Sequence, residues 1–310
     1  MTDERQFIRH LQAQFLARPP VSIGIGDDGA VLDVSADSQQ VVVTDLLLDG
    51  VHFDLNLDEP FLVGRKALAV NLSDLAAMGC RPTAAFVSLA IPKNQSSASP
   101  NFLQDLYRGI QQMTEEFQFS LAGGDTNSWN GPFAINVCLT GVPFSAHPFL
   151  RSAARAGDGI FVTGPLGGSL HHGRHFKFLP RLNISEWLSR TTSVHGMMDL
   201  SDGLSLDLHR MMESSGMAAE ILASSIPIHT DVPAGWTSER RLTAALSDGE
   251  DFELLFTVSQ SEAAKLKAAA NDVTISLYEI GRVLNGSGVT LIDAFGNCQI
   301  MDVMGWQHGL

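Results

Sequence analysis

The stretch "KALAVNLSDLAAMG", residues 66–79, constrains the chain most, and it reads as the body of a helix over 60–79. It is built almost wholly of apolar and small residues, and a helix of that kind has to be buried. Asn71, Ser73 and Asp74 are polar intrusions in it. A buried carboxylate without a partner is expensive, so Asp74 demands one, and a metal ion meets that demand better than a core hydrogen bond.

Around this helix, strand-like and helical runs alternate. "QVVVT" (40–44), "AAFVSLAIP" (84–92) and "FAINVCLTGV" (133–142) read as strands, while 99–118 reads as a helix with Ser99 as N-cap and Pro100 in its first turn. Gly79 stands where a glycine stops a helix, and Phe7, Ile8, Leu11, Phe15 and Leu16 recur at helical spacing near the N-terminus. The pattern breaks between 143 and 157 and then resumes. The second half gives the strand "GIFVTG", a less regular stretch from 165 to 193, "MMDLSDGLSLDLHRMMESSG", "AAEILASSIPI", "EDFELLFTV", a helix over "SQSEAAKLKAAAND" and a last pair of strands. Two α/β or α+β halves of similar size are expected, 1–145 and 146–310.

Composition narrows the function. The 310 residues carry 20 basic and 34 acidic side chains, a formal net charge of −14, which argues against a general nucleic-acid or anionic-membrane binder. Cys80, Cys138 and Cys298 make neither a disulfide framework nor a CxxC metal site. No apolar run suits a signal peptide or a membrane span, so a cytoplasmic enzyme is expected.

Seven aspartates fall mostly at the ends of elements, next to Gly or Ser: Asp27 and Asp28 in "GIGDDGAVLD", Asp45 after "VVVT", Asp74, Asp125 after "LAGG", and Asp199 and Asp202 in "DLSDG". Loops at strand ends are where α/β proteins place ligands. Gathered carboxylates repel one another unless hard divalent cations such as Mg²⁺ neutralise them and recruit phosphate oxygens. A phosphate site holding several Mg²⁺ ions is therefore expected. Of the adjacent pair, Asp27 is read as the ligand, and the role of Asp28 is left open. There is no GK[ST] loop and no GxGxxG in a strand–helix context, so a nucleotide here is not held by a P-loop or Rossmann apparatus. "HHGRH" (171–175) has no matching Cys or distant His partner and reads as a solvated loop.

In order along the chain, "GIGDDGAVL", "TDLLLDGVHF", "GRKALAVNLSDLAAMGCRP", "LAGGDT", "LRSAARAGD", "DLSDGLSLDL" and "GEDFELLFT" resemble the thiamine-monophosphate kinases, relatives of aminoimidazole ribonucleotide synthetase. The resemblance implies a two-domain α/β (α+β) fold of the synthetase type. Its N-terminal domain would bind metal and ATP and pair in a homodimer through a β-barrel-like sheet, and its C-terminal domain would complete the active site. It implies phosphorylation of thiamine monophosphate by ATP. Asp27, Thr44, Asp45, Asp74, Asp125, Asp199 and Asp202 would hold Mg²⁺; Gly124, Asp125, Arg151, Ser201 and Tyr107 would contact ATP; His52, Glu250 and Trp306 would contact thiamine monophosphate. Trp306 offers a flat face to a cationic thiazolium, and Glu250 either balances that cation or bonds the aminopyrimidine. No general base is nominated, because the acceptor is already an anionic phosphate monoester.

The chain departs from the family pattern at Val43, where a hydroxyl residue is usual, and at Asp248, Phe252 and Asn127. Asp248 gives weight to a related ATP-dependent kinase or synthetase acting on another small molecule. A catalytically silent thiamine-phosphate binder is a further alternative, set against the retention of all seven aspartates.

Overall fold

A computed structural model describes residues 4–14, 18–35, 38–93 and 101–307. Its N-terminal half contains α1 (Glu4–Gln14), β1 (Val21–Ile23), β2 (Ala30–Ser35), β3 (Ser38–Leu48), α2 (Pro60–Ala77), β4 (Cys80–Pro92), α3 (Phe102–Glu116), β5 (Ser120–Trp129) and β6 (Ala134–Pro143). These strands form one sheet in the order β1-β2-β3-β6-β4-β5, antiparallel except where β4 and β5 run parallel. The rest contains β7 (Asp158–Val162), α4 (Arg174–Lys177), α5 (Leu182–Thr191), β8 (Val194–Asp199), α6 (Leu204–Ser215), β9 (Ala218–Leu222), α7 (Ser238–Ser247), β10 (Leu254–Ser259), α8 (Gln260–Asp272), β11 (Tyr278–Leu284), β12 (Gly288–Ile292) and β13 (Cys298–Ile300). Its sheet runs β13-β12-β9-β11-β7-β10-β8, with only β12 and β9 parallel. Both sheets are open within the chain.

The mixed α/β character follows the alternation in the sequence, with local corrections. The irregular stretch 165–193 contains α4 and α5, and three strands rather than two close the chain. Helix α7 was not anticipated, although Thr237 caps it by accepting from Arg240 N at 3.3 Å. "HHGRH" is only partly a solvated loop: His171 and His172 are exposed, but His175 is buried in α4. Ser99, Pro100, Phe15 and Leu16 lie outside the described residues.

Helix α2 has the position its composition demands. It packs against β3, β4, β6 and α3 on one side and against β8, β10, α4 and α5 on the other. One apolar core runs through it, from Val31 and Val41 to Phe161, Phe256 and Leu266. A second core, containing Ile160, Leu208, Met211 and Ile221, lies on the far face of the second sheet beneath α6. Several polar atoms that α2 carries into the interior are answered across this junction, whereas Asn71 Nδ2 donates within the helix to Ala67 O at 3.0 Å. Arg65 donates to the carbonyls of Phe176 at 2.8 Å and Phe178 at 2.7 Å, and Ser185 Oγ donates to Ala76 O at 2.6 Å. Such hydrogen bonds fix direction as well as distance, so they set the angle between the halves.

Helices α2 and α3 approach closely because each supplies a glycine. A Cβ on Gly64 would stand 2.0 Å from Leu106 O, and one on Gly109 would stand 2.0 Å from Phe61 O. Backbone cannot yield there as a flexible side chain can. Gly109→Ala should therefore lower stability by about 1–3 kcal/mol through overpacking, read as a fall in the thermal midpoint. An unchanged midpoint would show that the crossing is looser than described.

Candidate active site

A cavity of about 310 Å³ opens where the two halves meet. Its lining includes Asp45, Asp74, Asp199, Ser201, Asp202, His52, Glu250 and Trp306, eight of the residues singled out in the sequence, together with Lys66 and Asp248. Four structural elements place six of them. Strand β3 alternates, turning Val41, Val43, Asp45 and Leu47 toward α2. Helix α2 contributes Lys66 and Asp74, β8 ends on Asp199, and the turn before α6 carries Ser201 and Asp202.

The carboxylates crowd at one end. Single oxygens of Asp28, Asp74 and Asp199 lie within 4.8 Å of one another. Ser73 Oγ donates to Asp199 Oδ2 at 2.5 Å, which uses the second polar intrusion of α2. Asp45 and Asp74 share a side-chain hydrogen bond. Burial and then repulsion from Asp45 and Asp199 push the Asp74 carboxyl well above the usual range; burial and then Asp28 do the same to Asp199. Burial raises Asp45 to about 6, against the hydrogen bond from Asp74, and burial with Asp28 raises Asp27 to about 7.

Within the adjacent pair it is Asp28, rather than Asp27, whose carboxylate joins the cluster. Asp27 turns to the backbone, accepting from Asp28 N at 2.9 Å and Arg151 N at 3.3 Å. Asp28 enters the cluster and pairs with the Arg151 guanidinium, while its buried Oδ2 has no hydrogen-bond partner among the described residues. An orphaned buried carboxylate oxygen amid hard oxygen donors is what a divalent cation would satisfy, so the residues present fit Mg²⁺.

Other expected residues stand apart from the cavity. Thr44 falls on the opposite face of β3 from Asp45, donating to Val137 O at 3.0 Å and accepting from Asn136 Nδ2 at 3.1 Å. Its side chain is thus not brought to the cluster of its own chain, a consequence of the two-residue period of a strand. Gly124 and Asp125, expected where a strand meets a loop, lie instead within β5, whose ten residues are all exposed. Gly124 has φ +155°, and a Cβ there would stand 1.8 Å from Val87 O, so its glycine is required by β4 packing. Tyr107 is packed against the core from α3.

At the other end of the cavity the tail is clamped. Ser205 Oγ donates to Asp302 O at 2.8 Å and accepts from Met304 N at 3.1 Å, and Trp306 N donates to Asp202 O at 3.0 Å. A Cβ on Gly305 would stand 2.5 Å from Asp202 O, so only glycine lets the tail lie this close. His52 Nδ1 accepts from Leu48 N at 3.0 Å, which leaves the proton of the neutral ring on Nε2. Sequence reasoning marked Ser73 as a polar intrusion without assigning it a partner, and passed over Lys66, although it is a polar residue in the same apolar helix as Asp74. It also passed over Arg174, which ties the loop before α4 to Asp231 at 2.9 Å and Asp251 at 3.0 Å.

Residues 26–142 match the N-terminal domain model of the AIR synthase related proteins, and residues 179–294 match the C-terminal one. The chain is 38% identical to a thiamine-monophosphate kinase of Rhodopirellula baltica, with 99% of this chain and 97% of that one covered. It is 30% identical to the thiamine-monophosphate kinase of Bacillus subtilis, with 99% of both chains covered. The solved structure of AaThiL complexed with AMPPCP and TMP superposes with a TM-score of 0.83 at 27% identity, covering 99% of this chain and 97% of that one.

The raised carboxylates give a signed pH dependence. A group whose pKa is higher folded than unfolded keeps more protons in the native state, so it weakens stability as pH climbs from about 4 through its folded pKa. Without divalent ions, the thermal midpoint should fall between about pH 5 and pH 8. Asp74→Asn should flatten that fall, and MgCl₂ should raise the wild-type midpoint at pH 8 with release of protons. A midpoint at pH 8 indifferent to MgCl₂ would contradict the cation reading.

Proposed function

This chain belongs to the thiamine-monophosphate kinase family, and we propose that it transfers the terminal phosphoryl group of ATP to thiamine monophosphate, giving thiamine diphosphate and ADP. One observation carries the reading: a buried acidic cluster with an unsatisfied carboxylate oxygen adjoins a cavity that also holds Trp306 and Glu250.

In this reading Asp28, Asp45, Asp74 and Asp199, with Asp27 and Asp202 behind them, hold several Mg²⁺ ions. When bound, those ions screen the charge of the polyphosphate and orient it for in-line attack. A phosphate oxygen of thiamine monophosphate forms the new P–O bond while the bond from the γ-phosphorus to the bridging oxygen breaks. The attacking oxygen is already anionic, so no side chain need take a proton, and none is assigned as a base. Arg151, now paired with Asp28, supplies a guanidinium for phosphate oxygens once cations take over that carboxylate. Ser201 lines the same cavity, and Trp306 lays an aromatic face toward the thiazolium.

The division at 145/146 assigns ion and nucleotide binding to the first part and completion of the cavity to the second. A homodimer across the first sheet belongs to the same proposal. Among the described residues β5 pairs only with β4, and its exposed side chains include Leu121 and Trp129. Such an edge is normally covered. Pairing there would give Gly124, Asp125 and Thr44 a setting in which to meet ATP and its ions.

The test is formation of thiamine diphosphate from thiamine monophosphate, ATP and MgCl₂. Wild type should form it, and Asp45→Asn should lose it by at least about 100-fold, the scale of a lost charge-stabilising group. A folded wild type that binds ATP yet forms no product would reject the substrate. Light scattering should give twice the chain mass for wild type and a smaller mass for Leu121→Lys; a wild-type monomer would overturn the dimer.

A further inference from the structure

Lys66 is among the largest fully buried side chains of the described residues, an ammonium on a mostly apolar helix. Its side chain is 1% exposed, and its partner Glu250 is 22% exposed toward the cavity. Nζ donates to both Glu250 oxygens, at 2.9 Å and 2.6 Å, and its third proton goes to His52 O at 2.9 Å. All three donors of the ammonium are used, so Lys66 has no proton left to offer a phosphate. The Phe176 ring lies 5.3 Å from Nζ on another side.

Glu250 is fixed at its backbone as well. It sits at φ +52°, a conformation that a non-glycine residue adopts only when its surroundings impose it. Its N–H donates to Ser201 O at 2.7 Å, and its carbonyl accepts from Ser169 Oγ at 2.6 Å. Phe252, at φ +51°, shares this conformation, and the neighbouring Gly249, at φ +71°, adopts it freely for want of a Cβ. Each carboxylate oxygen keeps an acceptor site beyond its bond to Lys66. The arrangement is a held acceptor whose charge is already balanced.

That balance decides between the two roles open to Glu250. A carboxylate neutralised at 2.6 Å by a buried ammonium contributes little net field to a second cation, whereas its remaining lone pairs still accept hydrogen bonds. Apart from the clustered carboxylates, the acid of the cavity wall that stands outside both ion pairs is Asp248, which accepts from Gly168 N at 2.9 Å, whereas Asp202 is paired with the Arg210 guanidinium. On the reading given under Proposed function, we infer that Lys66 is a specificity-determining positioning residue: it holds Glu250 as a fixed acceptor for the exocyclic amino group of the aminopyrimidine, and Glu250 is not the counter-ion of the thiazolium.

The probe is oxythiamine monophosphate, in which a carbonyl oxygen replaces that amino group and the thiazolium and phosphate are unchanged. Wild type should favour thiamine monophosphate in kcat/KM by at least about 100-fold, since a site built around a substrate N–H rejects an analogue that lacks it. Lys66→Met, close in length and apolar, should narrow this ratio at least about tenfold, with KM for thiamine monophosphate raised and KM for ATP unmoved. Lys66→Arg should recover part of the discrimination. Glu250→Gln, which can turn an N–H toward the carbonyl, should narrow the ratio by improving turnover of the analogue.

If Lys66→Met and Glu250→Gln lower turnover of both substrates in equal proportion, Lys66 only supports the fold and the inference is overturned. It is also overturned if wild type accepts both substrates alike. Failure of wild type to phosphorylate thiamine monophosphate at all would sink the kinase reading itself, an outcome separate from either of these. Should Lys66→Met not fold, Glu250→Gln against the same pair of substrates decides between these outcomes, because it keeps the size and the backbone.

Discussion

Carboxylates forced together in a place with little water are the constraint on which this molecule turns. Asp28, Asp74 and Asp199 come from a turn, a helix and a strand end that are distant in sequence, and nothing local would favour their meeting. The fold holds them because α2 is locked between the two halves by apolar packing on both sides and by the Arg65 and Ser185 hydrogen bonds. Packing energy thus sustains an electrostatic arrangement that opposes folding. The apolar helix and the acidic cluster are two sides of one design.

The same helix organises the rest of the cavity. Its successive polar residues face different partners: Arg65 holds the segment around α4, Lys66 holds Glu250, Ser73 holds Asp199, and Asp74 meets Asp45. The cleft thus joins an acidic cluster around Asp28 suited to cations and polyphosphate to a Lys66-balanced Glu250 and the Trp306 ring suited to an organic heterocycle. A substrate bearing both a phosphate and a heteroaromatic cation would use both.

Much of this was legible in the sequence, for identifiable reasons. The burial of helix α2 followed from composition alone, Asp74 stood out as a carboxylate inside it, and Asp199 and Asp202 stood out as acids beside Ser or Gly at element ends. Other features depended on geometry that one-dimensional spacing does not carry. Asp27 and Asp28 are neighbours whose backbone turn sends one toward Arg151 N and the other into the cluster. Strand alternation puts the Thr44 side chain on the other face of β3 from Asp45, and Asp125 lies in a β5 that extends through the expected loop. Lys66 was passed over because its partner lies 184 positions away.

The most direct measurement is anomalous scattering from crystals of the full chain grown with MnCl₂ and a non-hydrolysable ATP analogue. Mn²⁺ peaks are expected within the space bounded by Asp28, Asp45, Asp74 and Asp199, with phosphate oxygens completing their coordination. Clear density for the nucleotide elsewhere, with no anomalous peak among these carboxylates, would contradict a cation-held phosphate site.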